Sequence, residues 1–180
     1  YRNADRLLKL VNQLLDFRKI DVQGDTLVLS TGDIVPFVRD VAYSFKELSE
    51  QKHIRFSFSS VFTSLPMRFD TDKVFKIVSN LLSNAFKFTP EGGMITVTLS
   101  LLPDKEGRNK LLIEVSDSGI GIPADKQEAI FDRFYQVSSS DKGNPVMGTG
   151  IGLHLCREFV RMHQGSIAIK SQPGVGSTFT

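Results

Sequence analysis

The 180-residue chain has no tryptophan, a single cysteine (Cys156) and three histidines (His53, His154, His163). One cysteine excludes an internal disulfide, which suits a reducing compartment. The histidines carry no metal-ligand spacing relative to one another, and each reads as structural or exposed. No apolar run approaches the roughly 20 residues that span a bilayer. No signal-peptide pattern is present either. Charge of one sign is also lacking. The net charge of +2 and the absence of a basic run give no case for nucleic acid. Internal repeats and low-complexity tracts are missing. What is abundant is apolar content, 41%, enough for one domain with a sizeable core.

Three polar motifs interrupt that apolar pattern. The first is Asn80-Leu-Leu-Ser-Asn84-Ala-Phe-Lys87-Phe-Thr89-Pro90. At about 100° per residue a helix aligns Asn80, Asn84 and Lys87 in one row. Its apolar row is Val74, Val78, Leu81, Ala85 and Phe88. Amide oxygens ligate hard cations and an ammonium meets phosphate charge, so the row suits a magnesium-bound polyphosphate. The same row also reads as an ordinary solvated helix face.

The second motif, Asp117-Ser-Gly119-Ile-Gly121-Ile122-Pro123, follows a strand. Leu111, Ile113, Val115 and Asp117 alternate onto one face, so Asp117 points inward at the strand's end. A buried carboxylate needs donors, and a purine's exocyclic amine is one. An Asp that caps the following turn is the plainer alternative. The third motif, Gly148-Thr149-Gly150-Ile151-Gly152-Leu153, opens a helix with Leu153, Cys156, Phe159, Val160 and His163 at three-four spacing. Free N–H groups and the dipole of a helix start favour an anion; a loop turn needing positive φ is the alternative.

Together these motifs resemble the ATP-binding catalytic domain of sensor histidine kinases. That domain belongs to the GHKL class shared with gyrase, heat-shock chaperone and mismatch-repair ATPases. Asn80 to Pro90 resembles the N box, and Asp117 to Pro123 the G1 box. Phe131-Asp-Arg-Phe134 resembles the F box, and Gly148 to Leu153 the G2 box. Gly174-Val-Gly176-Ser177-Thr-Phe179 resembles the closing segment. The resemblance implies ATP and Mg²⁺ as ligands, with Asn80, Asn84 and Lys87 as the catalytic row. Asn84 would be the metal ligand, Lys87 would touch phosphates, and Asp117 would accept from the adenine amine. The nucleotide-binding set would further include Gly119, Gly121, Ile122, Thr149, Gly150, Ile151, Gly152, Leu153 and Ser177.

The water-activating ATPases of this class carry a general-base Glu where this chain has Asn80. An amide takes no proton from water, so the resemblance favours phosphoryl transfer to a neutral histidine. The implied partners are ATP, the phosphoacceptor His of a dimerisation domain and a response-regulator receiver domain. A homodimer is implied for the full-length protein. No histidine here has the acceptor context, so the chain reads as a fragment of the cytoplasmic portion of a larger, membrane-anchored kinase. An ATP hydrolase, a Ser/Thr kinase of the same fold and a non-catalytic nucleotide-binding scaffold are the alternatives. Relatives carry Arg where Gln136 stands, and Arg133 or Lys142 are candidate replacements.

The expected architecture is a two-layer α/β sandwich of GHKL type, with a mixed sheet covered by helices on one face. An N-terminal helix, Arg2 to Ile20, precedes it with an apolar stripe of Leu7, Leu10, Leu14 and Phe17 that needs a bundle partner or a second copy of itself; an amphipathic helix packed on its own domain is the alternative. Residues 1–22 would be the end of a dimerisation helix and hinge, and 23–180 the catalytic domain. Strands are predicted over 26–30, 54–58, 67–69, 94–101, 110–117, 166–170 and 177–180. Helices are predicted over 33–51, 70–88 and 149–163. The polar segment between Phe134 and Gly148 is expected to be a nucleotide-responsive lid anchored by Phe131 and Phe134.

Overall fold

The computed structural model describes residues 7, 11–16, 18–20, 26–103, 109–136 and 149–180. Its elements are β1 (Ser30–Asp33), α1 (Ile34–Tyr43), α2 (Lys46–Gln51), β2 (Arg55–Ser60), β3 (Pro66–Phe69), α3 (Thr71–Phe88), β4 (Met94–Pro103), β5 (Asn109–Asp117), α4 (Gly152–Met162), β6 (Ile169–Gln172) and β7 (Gly176–Phe179). Short 3-10 turns lie at Ala124–Lys126 and Ala129–Phe131. Leu7 and residues 11–16 and 18–20 are helical. The rest of the predicted N-terminal helix, the segment 21–25, residues 104–108 of the β4–β5 connection, and residues 137–148, where the lid is expected, lie outside the described residues.

Five strands form one mixed sheet in the order β2-β4-β5-β7-β6. β2 and β4 run parallel, and every other pair is antiparallel. Alternation along β4 sets the faces: Ile95, Val97 and Leu99 are fully buried, while Thr96 and Thr98 are only half-buried. The buried stripes of α1, α3 and α4 join that one face in a single core. Phe86 is at its centre, stacked on Phe45 with ring centroids 5.6 Å apart and tilted against Phe56 at 5.5 Å. Burying one such ring stabilises the fold by about 1.5–3 kcal/mol. The expected two-layer arrangement is therefore the observed one.

Asp70 starts α3. Its Oδ1 accepts from Lys73 N at 3.0 Å, capping the helix, and its Oδ2 accepts from Val28 N at 2.8 Å. The buried Lys73 ammonium donates to Asp70 Oδ2 (3.1 Å) and to Thr26 O (3.1 Å). Burial raises the Asp70 carboxyl, but these hydrogen bonds and the Lys73 charge outweigh it and hold the group below its ordinary value.

Four details depart from the sequence-based expectation. Residues 26–29 are not a strand: Val28 N donates to the Asp70 side chain and Thr26 O accepts from Lys73 Nζ; β1 begins at Ser30 and pairs with β3 in a separate two-stranded ladder. The helix expected over 33–51 breaks after Tyr43. Ser44 Oγ there donates to Val41 O at 2.7 Å, and Phe45 N turns to Ala42 O. On α3, Phe86 rather than Phe88 is fully buried. The last strands run Ile169–Gln172 and Gly176–Phe179.

Candidate functional site

Because α3 buries Val74, Val78, Leu81 and Ala85, its opposite stripe carries Asn80, Asn84 and Lys87, all half-buried. The Lys87 ammonium lies 4.7 Å from the Phe88 ring centroid. Asn80 Oδ1 accepts from Gln13 Nε2 at 3.4 Å. Asn84 offers a hard amide oxygen at a partly open position. That suits a divalent cation that keeps most of its water and takes one or two protein oxygens.

Asp117 ends β5, opposite Ile95 on one side and Ser177 on the other. Directly opposed residues share a face, and both neighbours are buried. The carboxylate therefore faces the helix layer, as strand phase predicts. Asp117 Oδ1 accepts from Gly119 N at 2.8 Å. Burial pushes the carboxyl above its ordinary value, partly offset by the Gly119 and Ser177 N–H groups.

Both glycine segments touch α3. At its C-terminal end, Ile120 N donates to Phe88 O at 3.3 Å. Further back, a Cβ on Gly152 would sit 3.0 Å from Asn80 Oδ1. Positions 80 and 88 are about 12 Å apart along the helix axis. Asn84 and Lys87 lie between them, so one elongated polyanion can meet the G1-like turn, the polar row and the start of α4.

Residues 69–180 match the model of the family described as Histidine kinase-, DNA gyrase B-, and HSP90-like ATPase. The chain belongs to this ATPase family. It is 40% identical to the sensor histidine kinase TmoS of Ectopseudomonas mendocina, over 99% of this chain and 18% of that protein. With the sensor histidine kinase WalK of Bacillus subtilis it shares 35% identity over 98% of this chain and 28% of that one. It thus spans under a third of the curated relatives it matches. Among solved structures, full-length ShkA in complex with AMPPNP superposes with a TM-score of 0.83, at 27% identity over 99% of this chain and 35% of that chain. The nucleotide-free catalytic domain of the histidine kinase ThkA gives 0.70, at 25% identity over 85% of this chain and 92% of that one.

Within this ATPase-family domain, several predicted site residues play unexpected parts. Gly121 has φ +68°, and a Cβ there would lie 2.0 Å from Gln172 O; Gly150 has φ +69°, and its Cβ would lie 2.6 Å from the Phe134 carbonyl carbon. A Cβ on Gly119 would meet Phe88 O at 2.6 Å. At all three glycines the space a Cβ would need is taken by the protein's own backbone from another segment. Ile151 is buried in the core, while Ile122 and Leu153 pack against it. Thr149 Oγ1 accepts from Ile151 N (3.2 Å) and donates to Gln13 Oε1 (3.0 Å).

Ser177 is buried, and its hydroxyl is 2.9 Å from Ser171 Oγ. Ser171 is the hub that sequence reasoning missed. Its Oγ donates to Gly176 O and accepts from Ile122 N at 2.7 Å, joining the G1-like turn to the β6–β7 hairpin. Gln127 Nε2 clamps the same junction through Ile122 O (2.9 Å) and Ser171 O (2.8 Å). Strand alternation from Ile169 points to Ser171, but only when β6 is placed at 169–172.

Of the two F-box aromatics, Phe131 is buried edge-on against Phe179, with centroids 6.3 Å apart. Phe134 is instead exposed at φ +60°, and it is its backbone N–H, donating to Gly150 O at 2.9 Å, that ties it to the G2-like segment. Gln136 and Arg133 are exposed, and Lys142 lies outside the described residues. His154 is buried with Nδ1 3.3 Å from Phe131 O, and burial lowers its pKa. His163 Nε2 accepts from Asp70 N and its Nδ1 meets Phe159 O, while His53 is exposed. The first two histidines tie elements together.

Proposed function

We propose that this chain is the ATP-binding catalytic domain of a sensor histidine kinase. It would transfer the γ-phosphoryl of Mg·ATP to a histidine on an adjacent dimerisation domain, for relay to an aspartate of a response regulator. Residues 1–22 are the end of the dimerisation helix and hinge, and 23–180 the catalytic domain. The observation that carries this reading is the meeting of two glycine segments on one helix, on either side of Asn84 and Lys87, with Asp117 at the adjoining strand end. ShkA, 27% identical, is bound to AMPPNP. The exposure of Leu7, Val11, Leu14 and Leu15 on the N-terminal helix supports a partner helix from a dimer.

In this reading the Asp117 carboxylate receives the adenine amine. Lys87 meets phosphate oxygens and the α4 start faces the anion. Asn84 holds Mg²⁺, supported by Asn80 in the same row; when bound, the ion neutralises the charge on the phosphates. Asn80 supplies no general base for water, so the site positions the nucleotide for another nucleophile. A neutral imidazole nitrogen attacks the γ-phosphorus, the bond to the β–γ bridging oxygen breaks, and ADP leaves. In the kinase that contains this chain, γ-labelled ATP should produce acid-labile, base-stable phosphohistidine, and Asn84→Ala should abolish it. Release of the label as inorganic phosphate, with no phosphohistidine, would overturn the transfer reading in favour of hydrolysis.

A further inference from the structure

The N-terminal helix buries the wrong residue for an apolar stripe. Val11, Leu14 and Leu15 are 44–51% exposed, whereas Gln13 is only 9% exposed. Gln13 and Asp16 are three apart and share a helix face. That face lies on α3: Asp16 Oδ1 pairs with Lys76 Nζ at 2.8 Å, and Gln13 Nε2 donates to Asn80 Oδ1 at 3.4 Å. The other end of the Gln13 carboxamide, Oε1, accepts from Thr149 Oγ1 at 3.0 Å. One buried side chain thus bridges the N-box-like row to the G2-like segment.

The atoms it holds are those a nucleotide needs. Thr149 has one hydroxyl proton, and it goes to Gln13 while the oxygen accepts from Ile151 N. A phosphate oxygen can only accept, so to engage the Thr149 hydroxyl it must displace Gln13 Oε1 as the proton's acceptor. A metal-bound water donates, and Asn80 Oδ1, with two lone pairs, can accept it beside Gln13 Nε2, so the exclusive atom is the Thr149 hydroxyl. Gln13 Nε2 also lies 3.7 Å from the place a Cβ on Gly152 would occupy, which puts the amide over the start of α4.

Resting on the nucleotide reading above, we propose that Gln13 is a residue of the nucleotide site, and that its bridge and Mg·nucleotide compete for the Thr149 hydroxyl. The N-terminal helix is thereby coupled to site occupancy, because linkage works in both directions.

The test is titration of this chain, as wild type, Gln13→Ala and Gln13→Glu, with Mg·AMPPNP, with a melting curve for each. Gln13→Ala removes both hydrogen bonds and should tighten binding about three- to tenfold. Gln13→Glu keeps an acceptor for Thr149 but sets a carboxylate beside the phosphates, and should weaken binding. Opposite signs at one position are not the mark of a merely structural residue. In the wild type, Mg·AMPPNP should also speed hydrogen exchange of the amides at 11–16. Wild-type binding that Gln13→Ala leaves unchanged or weakens overturns this inference alone. Absence of saturable binding in all three proteins overturns the nucleotide reading and the inference with it.

Discussion

Asp117→Asn separates binding from stability. The amide has nearly the carboxylate's shape, and its oxygen can still accept from Gly119 N, which reaches Asp117 Oδ1 at 2.8 Å. The charge is what disappears. A hydrogen bond to a charged group is worth about 1.5–3 kcal/mol, so AMPPNP affinity should fall roughly ten- to a hundredfold. Stability should move the other way or hardly at all. Burial raises the folded carboxyl above its ordinary value. Between the unfolded and folded values the native state binds more protons, so this group costs stability as pH rises through that interval. At neutral pH the ionised carboxylate is a standing cost that the amide removes. Wild-type affinity should also decline as pH is lowered through the raised value, while the variant's stays flat. Calorimetric titration and scanning calorimetry on the same samples read both quantities. A melting temperature lower by more than about 4 °C, roughly 1 kcal/mol or more for a chain of this size, would instead make Asp117 a structural acceptor. Unchanged affinity would refute the adenine assignment.

Three further outcomes follow from the packing. Gly121→Ala puts a Cβ 2.0 Å from Gln172 O at φ +68°; the backbone conformation alone costs about 1–2 kcal/mol, and a denaturant midpoint equal to wild type would contradict the collision. Lys73→Met leaves the buried Asp70 carboxylate without its ammonium and should cost about 3–5 kcal/mol in urea unfolding; a loss under 1 kcal/mol would show that the helix cap and Val28 suffice. Cys156, fully buried with its thiol pushed up to about 12, should resist alkylation at pH 8 in the native protein and react once it unfolds; rapid native labelling would contradict its burial.

The parts of the site legible in the sequence were those set by a single period. The Asn80–Asn84–Lys87 stripe and the inward phase of Asp117 depend on local geometry alone, and the structure shows that stripe on one face of α3 and Asp117 opposite the buried Ile95 and Ser177. What stayed hidden depends on partners distant in sequence. Ser171 matters because Ile122, 49 residues away, donates to it. Gly121 reads as room for a ligand until Gln172 O is seen against it. Residues 26–29 look like a strand until α3 claims their backbone. The leucines of the first helix are so regular that they draw attention from Gln13, whose burial is set by Asn80 and Thr149.

The most direct measurement is a crystal structure of this chain with Mg·AMPPNP. The adenine amine should lie within hydrogen-bond distance of the Asp117 carboxylate, Asn84 Oδ1 about 2.1 Å from the metal, and phosphate oxygens at Lys87 and at the start of α4. Nucleotide bound away from Asp117, or a metal that leaves Asn84 unligated, would contradict this placement.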